Sequence, residues 1–421
     1  MKLAINGGKP IRNKPFNKYN LIDDKEINST IKVLKSGVLS GFMGGYNSGF
    51  LGGKEVIKFE NNFSNKLNVK YAISVNSASS ALQIALKACD IKAGDEVIVS
   101  PYSMSISATA PLLWNAIPIF ADIEEKTFAL SYDSIKKLIT PKTKAIILVH
   151  IFGAVARDTK KILKLAKKHN IKVIEDASQS PMAYYDKNSY AGTLADIGVF
   201  SLNCHKHINC GEGGVCVTNN KEIATKLQLL RNHAEAVVPN MNNQDKQKYK
   251  HLFGFNFRLT ELQAVIANEQ LKKLKKELKI RRKYALMYNK ALSKIPFIEV
   301  QDINPISHSY YVQPFIFNEK IAGVSRHTFI EAVKKELSYV KGEKALGVPI
   351  YEGYTKPLYL LDIFQTIDNK KYSQGICPMV EKMYYKKLFW HDFTKSSLSI
   401  KDVNDVILAY QKVSKAIDEL K

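Results

Sequence analysis

Residues 144–177 read KAIILVHIFGAVARDTKKILKLAKKHNIKVIEDA, two apolar runs on either side of an amphipathic segment. The runs KAIILV and KVIEDA are continuous, as in strands that are buried on both faces of a sheet. The segment DTKKILKLAKKHN between them places its apolar residues on one helical face. A strand, a helix and a second strand in this order predict a parallel pair joined by a crossover helix. We therefore expect an α/β sheet with helices on both faces.

The same alternation extends in both directions, over residues 70 to 220. Further apolar runs are YAISV, EVIVSP, IPIFADI, DIGVFSL and GVCVTN, with amphipathic segments such as ASSALQIALKAC and KEIATKLQLLRNH among them. They predict one large domain with a mainly parallel sheet between helices. A long basic helix from about residue 260 to 293 leads to strands such as YYVQPFIF and helices such as RHTFIEAVKKEL, which predict a smaller C-terminal α+β domain. The predicted divisions are an N-terminal segment at 1–25, a large domain at 26–285 and a small domain at 286–421.

The length and composition predict a globular protein without a membrane partner. Hydrophobic residues make up 45% of the 421 residues, which is typical of chains with a buried core. The N-terminus MKLAINGGKP lacks the apolar region of a signal peptide, and no apolar run approaches the roughly 20 residues that cross a bilayer. We expect a soluble cytoplasmic protein. The glycine-rich stretch SGFMGGYNSGFLGG at 40–53 is expected to be a loop outside the core.

The spacing of the cysteines and the distribution of the basic charge argue against a metal site and against a nucleic-acid-binding protein. Five cysteines without a secretory signal favour reduced thiols. Cys204, Cys210 and Cys216 recur six residues apart, whereas tetrahedral zinc sites use pairs spaced by two to four residues, so we predict no metal. The net charge of +23 attracts anions, but the lysines are spread over helical faces without interleaved aromatic residues. We therefore expect a solvated surface and no nucleic-acid partner.

Polar groups follow several predicted strands, where open α/β sheets place their ligand sites. The small residues 76–82, NSASSAL, open a helix and predict either a phosphate cradle or a simple helix cap. The acidic pair Glu175 and Asp176 ends one strand, so at least one carboxylate lies at the mouth of the sheet, where it needs a cationic partner. Lys206 follows the next strand and is either a Schiff-base former or a surface lysine. The residues alone leave these alternatives open.

Five ordered motifs carry a resemblance to a known family. They are SASSAL at 77–82, VIEDASQS at 173–180, Ser201 with Lys206 five residues later, GEGG at 211–214 and GFNFRLTELQA at 254–264. This order resembles the sugar aminotransferases of the DegT/DnrJ type, which are fold-type I enzymes dependent on pyridoxal 5'-phosphate (PLP). The resemblance covers residues 1 to about 275 closely and the remainder loosely. It implies the PLP-dependent aminotransferase fold type I.

The resemblance also implies the site residues. Lys206 matches the lysine that carries PLP as a Schiff base, and Asp176 matches the carboxylate that pairs with the pyridinium nitrogen. Some relatives have histidine at the lysine position, but counting from Ser201 places Lys206 there. The other matches are cofactor contacts, namely Gln179 near the phenolic oxygen and, at the phosphate, Ser79, Ser80, Ser201 and Asn256. Asn256 matches an asparagine that reaches the phosphate from the neighbouring subunit, so a homodimer with shared active sites is implied.

One position departs from the family pattern. An aromatic residue usually stacks on the PLP ring after the strand that matches EVIVSP, whereas this chain reads Pro101-Tyr102-Ser103-Met104-Ser105. We assign the contact to Met104, because a thioether can lie on an aromatic face. Ser105 in another register, or Tyr102, are the alternatives.

The implied activity is transfer of an amino group from L-glutamate or L-glutamine to the ketone of a sugar-like acceptor. The acceptor is phosphorylated, nucleotide-linked or a cyclitol, and the setting is polysaccharide or aminosugar biosynthesis. The alternative is a PLP- or PMP-dependent keto-sugar dehydratase that uses His205 or His207 as its base. Further matches near the family's active site are His150, Phe152, Arg231, His233 and Arg258. Residues assigned to the core instead are Tyr310, Tyr351, Tyr354, Trp390 and His391.

Overall fold

The computed structural model describes residues 2–301 and 303–421. Thirteen strands are found in these ranges. In chain order they are β1 Tyr71–Val75, β2 Glu96–Val99, β3 Ile117–Phe120, β4 Thr143–Val149, β5 Lys172–Asp176, β6 Tyr184–Asp186, β7 Ser189–Tyr190, β8 Ile197–Ser201, β9 Gly214–Thr218, β10 Ile298–Val300, β11 Gln313–Phe317, β12 Ile350–Glu352 and β13 Leu388–His391.

The α-helices lie between these strands and at both ends of the chain. They are α1 Asp24–Ser36, α2 Lys54–Leu67, α3 Ala78–Ala88, α4 Ile106–Thr109, α5 Tyr132–Leu138, α6 Thr159–Lys168, α7 Lys221–Arg231, α8 Ala234–Val237, α9 Asn243–Tyr249, α10 Glu261–Leu292, α11 Glu319–Ala322, α12 Arg326–Lys335, α13 Asp362–Asp368, α14 Pro378–Lys382 and α15 Ile400–Lys415. Among the helices of the described ranges, none has both the length and the apolar character needed to cross a membrane.

The large sheet has seven strands in the order β1-β9-β8-β5-β4-β2-β3. Neighbouring strands from β8 to β3 are parallel, and β9 runs antiparallel to both of its neighbours, β1 and β8. The prediction of a mainly parallel sheet is therefore confirmed. Because the parallel strands β4, β5 and β8 run in one direction, their carboxyl ends meet at the same edge.

The continuous apolar strands supply different cores on their two faces. On β4, Ile147 and Val149 pack in the cluster that contains residues of α3 and α7, whereas Ile146 and Leu148 pack against residues of α5 and α6. All four side chains are nearly or fully buried. Strands that must bury both faces cannot alternate apolar with polar residues, which explains the runs in the sequence.

The helix ends follow the capping signals in the sequence. The Asp23 side chain caps α1 and the Glu26 side chain returns to the Asp23 backbone, while Gly37 ends the helix at a φ of 70°. Thr260 and Gln263 form the same reciprocal cap on α10. These contacts satisfy amide groups that a helix leaves without partners at its first turn.

A second sheet of four antiparallel strands has the order β10-β11-β13-β12. Its core contains Phe315 and Phe389 together with Tyr288 from the C-terminal half of α10. Leu3 and Phe16 of the N-terminal segment pack in the same cluster. Helix α10 runs through residue 285, and the three predicted domain divisions stay a prediction.

The glycine-rich loop at 40–53 is partly buried, contrary to the expectation that it lies outside the core. Phe42 and Phe50 are buried, and the Asn232 side chain donates hydrogen bonds to the carbonyl oxygens of Met43 and Phe50. The two phenylalanines supply the apolar surface that the glycines lack.

Candidate active site

A cavity of about 360 Å³ lies at the carboxyl ends of the parallel strands. Val149 ends β4, Asp176 ends β5 and Ser201 ends β8, and all three line the cavity. The first turn of α3 forms another wall. Six of the predicted site residues line this one cavity, namely Ser79, Met104, Asp176, Gln179, Ser201 and Lys206. A volume of this size is typical of small-molecule sites.

Lys206 lies in the turn after β8, with its amino nitrogen 4.0 Å from the centre of the Tyr311 ring. Burial lowers the pKa of the Lys206 ammonium to about 8, and the negative charge of Asp176 opposes this shift. Desolvation favours the neutral form because a charged amine loses its hydration in the cavity. Lys206 is therefore closer to a free amine at neutral pH than a surface lysine is.

Asp176 is buried at the end of β5, with 6% of its surface exposed. The backbone amide of Ser178 donates to Oδ1 at 3.0 Å, and the Ser107 hydroxyl donates to Oδ2 at 3.4 Å. Ser107 and Ser103 are linked by a hydrogen bond of 2.8 Å between their hydroxyls. These contacts orient the carboxylate toward the cavity that Lys206 also lines.

Gln179 is held from both ends of its amide group. The backbone amide of Phe152 donates to Oε1 at 2.6 Å, and Nε2 donates to the Tyr354 hydroxyl at 2.9 Å. Phe152 has a φ of 60°, which is strained for a bulky residue. Strained backbone persists only where surrounding contacts fix it, and the bond to Gln179 is one of these contacts.

The first turn of α3 is built from serine hydroxyls. Ser77 caps the helix by accepting from the Ser80 amide at 3.0 Å, and the Ser80 hydroxyl donates to Asn76 at 2.6 Å. Ser77 and Ser79 line the cavity, whereas Ser80 is buried and is absent from the lining. The role of Ser80 stays a prediction.

Gly214 allows β9 to begin against this turn. A Cβ atom at Gly214 would lie 2.5 Å from the carbonyl carbon of Ser77, well inside van der Waals contact. The glycine of the GEGG motif therefore permits the close approach of the strand to the helix N-terminus. This places the positive end of the α3 dipole at the cavity wall.

Two predicted contacts occupy more exposed positions. Met104 lines the cavity and has 61% of its surface exposed. Tyr102, the aromatic alternative, is fully buried and packs edge-on against Phe152 and Tyr354, outside the lining. Asn256 is exposed and its backbone pairs with Asn232, away from the cavity of its own chain. Both assignments stay predictions.

The other family matches support the framework around the cavity. His150 is buried and donates from Nε2 to Glu175 at 2.9 Å, because its Nδ1 accepts from the Ala156 amide at 3.1 Å. Burial alone would raise the pKa of Glu175, but the hydrogen bond from His150 and backbone amides hold it below its usual range. Arg231 is buried and bonds Glu60 and the Ser74 carbonyl. None of these side chains lines the cavity in the described ranges.

The two histidines beside Lys206 differ in their surroundings. His205 is exposed and lines the cavity. His207 is buried and its Nε2 donates to the Ser309 carbonyl at 2.8 Å. Burial, with the nearby Arg281 guanidinium, holds the pKa of His207 well below its usual range, so this ring is neutral.

Two tyrosines of the cavity wall were missed in the sequence. No sequence signal marks Tyr311 as a site residue, and the sequence predicts a core position for Tyr354, whereas both line the cavity. Both come from the part of the chain where the family resemblance is loose, and no local motif marks them. Tyr354 is within 5.0 Å of the Phe152 ring centre and bonds Gln179, so it joins the C-terminal residues to the cavity.

The donor set fits PLP. Lys206 offers a desolvated amine, and Asp176 offers a carboxylate that can favour a protonated ring nitrogen. The α3 N-terminus and the hydroxyls of Ser79 and Ser201 suit a phosphate group. The buried hydroxyl of Ser178, which also lines the cavity, has no hydrogen-bond partner among the described residues. Such a group is normally satisfied, and a ligand could supply its partner.

No cluster of three or more His, Cys, Asp and Glu side chains that could hold a metal ion is present in residues 2–301 and 303–421. Cys204 is exposed, while Cys210 and Cys216 are buried.

Comparisons with known proteins agree with this geometry. The chain is 31% identical over 402 residues to the spore coat polysaccharide biosynthesis protein SpsC of Bacillus subtilis. The aligned region covers 94% of this chain and 96% of that protein. It is 29% identical to an L-glutamine:2-deoxy-scyllo-inosose aminotransferase of Streptoalloteichus tenebrarius, over 89% of this chain and 85% of that protein.

The fold is similar to the crystal structure of an aminotransferase from Psychrobacter cryohalolentis, with a TM-score of 0.81 and 27% identity, over 96% of this chain and 100% of that one. Residues 43–410 match the model of the DegT/DnrJ/EryC1/StrS aminotransferase family. The cavity with its lysine and carboxylate, the fold and these matches agree, and the chain belongs to this family of PLP-dependent sugar aminotransferases.

Proposed function

We propose that the chain transfers an amino group from L-glutamate or L-glutamine to the ketone of a sugar-like acceptor, in polysaccharide or aminosugar biosynthesis. The observation that carries the proposal is the position of the Lys206 amine, with its lowered pKa, in the same cavity as the Asp176 carboxylate. The relative named for L-glutamine and a cyclitol ketone and the relative named for spore coat polysaccharide support the donor and the setting.

The residues of the cavity have different roles in the proposed reaction. When bound, PLP supplies an electron sink for the charge that remains after a proton leaves the donor carbon. Lys206 takes up that proton and returns it, because an amine with a pKa of about 8 exchanges protons readily near neutral pH. Asp176 would favour a positive charge on the cofactor's ring nitrogen, and Ser79 and Ser201 would donate hydrogen bonds to its phosphate group.

The test compares the purified wild-type protein with Lys206→Ala and Lys206→Gln. Wild-type protein loaded with PLP should absorb visible light, and L-glutamate should bleach the absorption and release one equivalent of 2-oxoglutarate per site. Both variants should bind PLP only reversibly and release no 2-oxoglutarate. A Lys206→Ala protein with full release of 2-oxoglutarate would contradict the proposal.

A keto-sugar dehydratase is the second candidate, because His205 also lines the cavity. A histidine can move a proton but cannot form an imine with the cofactor, whereas Lys206 can do both. Mass spectrometry of the product separates the two reactions. The aminotransferase product gains a nitrogen, and the dehydratase product loses water and gains none.

The proposal includes a homodimer. Asn256 is exposed and lies outside the cavity lining of its own chain. If the partner's cavity receives this side chain, as the family resemblance implies, each site needs both subunits. Sedimentation of the PLP-loaded protein should therefore give the mass of two chains.

A further inference from the structure

A second cavity of about 250 Å³ adjoins the first. The two share three lining residues, His205, Tyr311 and Tyr354, so a molecule in the second cavity is next to Lys206. The remaining walls come from the small sheet and from the N-terminal segment, which contributes Asn17 and Tyr19. Apart from these three shared residues, the lining of the second cavity has no part in the cofactor contacts described above.

Aromatic rings form one wall of the second cavity. The rings of Tyr351 and Trp390 lie 4.5 Å apart at an angle of 32°, and Tyr354 meets Trp390 edge-on at 5.9 Å. These residues were assigned to the core from the sequence, but all three line the cavity and are only partly buried. A flat aromatic wall suits the apolar face of a ring-shaped ligand.

Two residues of this wall each have a polar atom without a partner within residues 2–301 and 303–421. These atoms are the indole nitrogen of Trp390 and the Oδ1 atom of Asp392, and both are buried. The other carboxylate oxygen of Asp392 pairs with Lys395. One donor and one acceptor beside an aromatic surface match a hydroxyl-bearing ring, because each hydroxyl can both donate and accept.

The charge of the wall disfavours phosphate. Glu343 and Asp392 are carboxylates, and Lys395, the only lysine or arginine in the described lining, is already paired with Asp392. Burial first, and then the negative charges of Asp392 and Glu343, raise the pKa of Tyr351, which places both carboxylates near that ring. A phosphate here would face like charges without a free cation.

We propose that the second cavity binds the acceptor, and that the acceptor is an uncharged polyhydroxylated ring ketone rather than a phosphate ester or a nucleotide-linked sugar. The assignment rests on the proposed aminotransferase function. In the overall reaction the donor amino acid gives its amino group and one hydrogen to the ketone carbon and receives the ketone oxygen. The donor leaves as a 2-oxo acid, and no outside oxidant is required.

The test separates the two halves of the reaction. The PLP-loaded enzyme is first treated with L-glutamate, and the release of 2-oxoglutarate is measured. The free amino acid and oxo acid are then removed, while the cofactor stays on the protein. Three acceptors are then compared, namely a keto-inositol, a keto-sugar phosphate and a nucleotide-linked keto-sugar. The keto-inositol should be aminated with a kcat/KM at least about tenfold above the other two, since a mispaired buried polar group costs that much or more.

Three variants identify the wall that is responsible. Trp390→Phe keeps a ring but removes the N–H donor, and Asp392→Asn removes the charge at nearly constant shape. Each should lower kcat/KM for the keto-inositol by about tenfold and leave the glutamate step unchanged. Asp392→Asn should also reduce the ratio of kcat/KM for the keto-inositol to kcat/KM for the keto-sugar phosphate. Glu125→Gln, which removes a carboxylate from a surface ion pair with Lys382 and Lys387, is the matched control and should change neither step.

Fluorescence gives a readout that does not depend on turnover. The chain has two tryptophans, Trp114 and Trp390. Keto-inositol should quench the emission of the wild-type protein and leave that of Trp390→Phe unchanged.

The outcomes are distinguishable. Failure of wild-type protein to release a 2-oxo acid from either L-glutamate or L-glutamine would overturn the proposed function and the acceptor assignment with it. A normal glutamate step followed by preference for the phosphate ester or the nucleotide-linked sugar would overturn the acceptor assignment alone. The same holds if Trp390→Phe and Asp392→Asn both complete the glutamate step and use keto-inositol as well as the wild type.

Discussion

Lys206 and Asp176 act on each other through charge, and this coupling can be measured. Burial lowers the pKa of Lys206 to about 8, and Asp176 opposes that shift by favouring the ammonium form. Only the neutral amine attacks an aldehyde, so the fraction of reactive lysine increases as the pH rises through the pKa.

The rate at which cofactor-free protein takes up PLP should therefore rise between about pH 7 and pH 9 and then level off, with a midpoint near the pKa of Lys206 of about 8. In Asp176→Asn the midpoint should move to lower pH, because the charge that favours the ammonium is gone. Stopped-flow absorbance at visible wavelengths measures the rate. Asp186→Asn, at an exposed carboxylate, should keep the wild-type midpoint. A midpoint that stays near pH 10 in the wild type would show that Lys206 is solvated.

A hydrogen bond from Gln179 to the Tyr354 hydroxyl joins the large-sheet part of the molecule to the C-terminal part of the chain. Tyr354→Phe removes the acceptor for Gln179 Nε2 and should lower the free energy of unfolding by about 1 kcal/mol, the typical net value of such a bond. Urea unfolding measures the change. Tyr351→Phe removes a hydroxyl from a neighbouring tyrosine of the same cavity wall and should cost less. Equal losses in the two variants would mean that the bond to Gln179 contributes nothing.

Among the elements, β9 and α3 depend on one glycine for their contact. In Gly214→Ala the new methyl group would lie 2.5 Å from the Ser77 carbonyl carbon, so the strand and the first turn of α3 must separate. We expect a loss of about 2 kcal/mol in the free energy of unfolding, as for other overpacked sites. PLP should also bind more weakly, because the turn carries Ser77 and Ser79.

Calorimetry and equilibrium dialysis check these two effects. Gly44→Ala is the matched control, because a methyl group there meets only the Arg258 side chain, at 3.8 Å. Wild-type PLP affinity in Gly214→Ala would show that the first turn of α3 does not hold the phosphate.

The elements that the sequence predicts best are those with local signals. The buried strand β4 contains a continuous apolar run, and α1 and α10 begin at side chains that cap them, so their positions follow from neighbouring residues. Lys206 and Asp176 belong to ordered motifs, and both line one cavity. Tyr311 and Tyr354 belong to no such motif. Their place in the cavity depends on how the small sheet packs against the large one, so no local sequence signal predicts it.

The sequence also fails to predict that the loop at 40–53 is partly buried, and the reason is physical. Its glycines predict an exposed loop, but Phe42 and Phe50 are buried, and removing their rings from water favours an ordered loop. The bonds from Asn232 that hold this loop come from a residue far along the chain. Long-range contacts of this kind leave no periodic pattern.

At the scale of the whole molecule, the proposed dimer gives each active site residues from two chains. A site would take Lys206 from one chain and Asn256 from the other. Lys206→Ala and Asn256→Ala homodimers should both be impaired, because each lacks one of the two residues in both of its sites. A mixed dimer of the two variants has one site in which both residues are intact.

Mixing equal amounts of the two variants, with unfolding and refolding together, should therefore restore about a quarter of the wild-type rate, since half of the dimers are mixed and one of their two sites is whole. The amino-transfer rate with L-glutamate and a keto-acceptor measures the recovery. A tag on one of the two variants, read by native mass spectrometry of the mixture, serves as the control for subunit exchange, and about half of the dimers should contain one tag. If the two variants recover no activity while that control behaves as expected, Asn256 acts within its own chain or not at all, and the shared-site dimer is wrong.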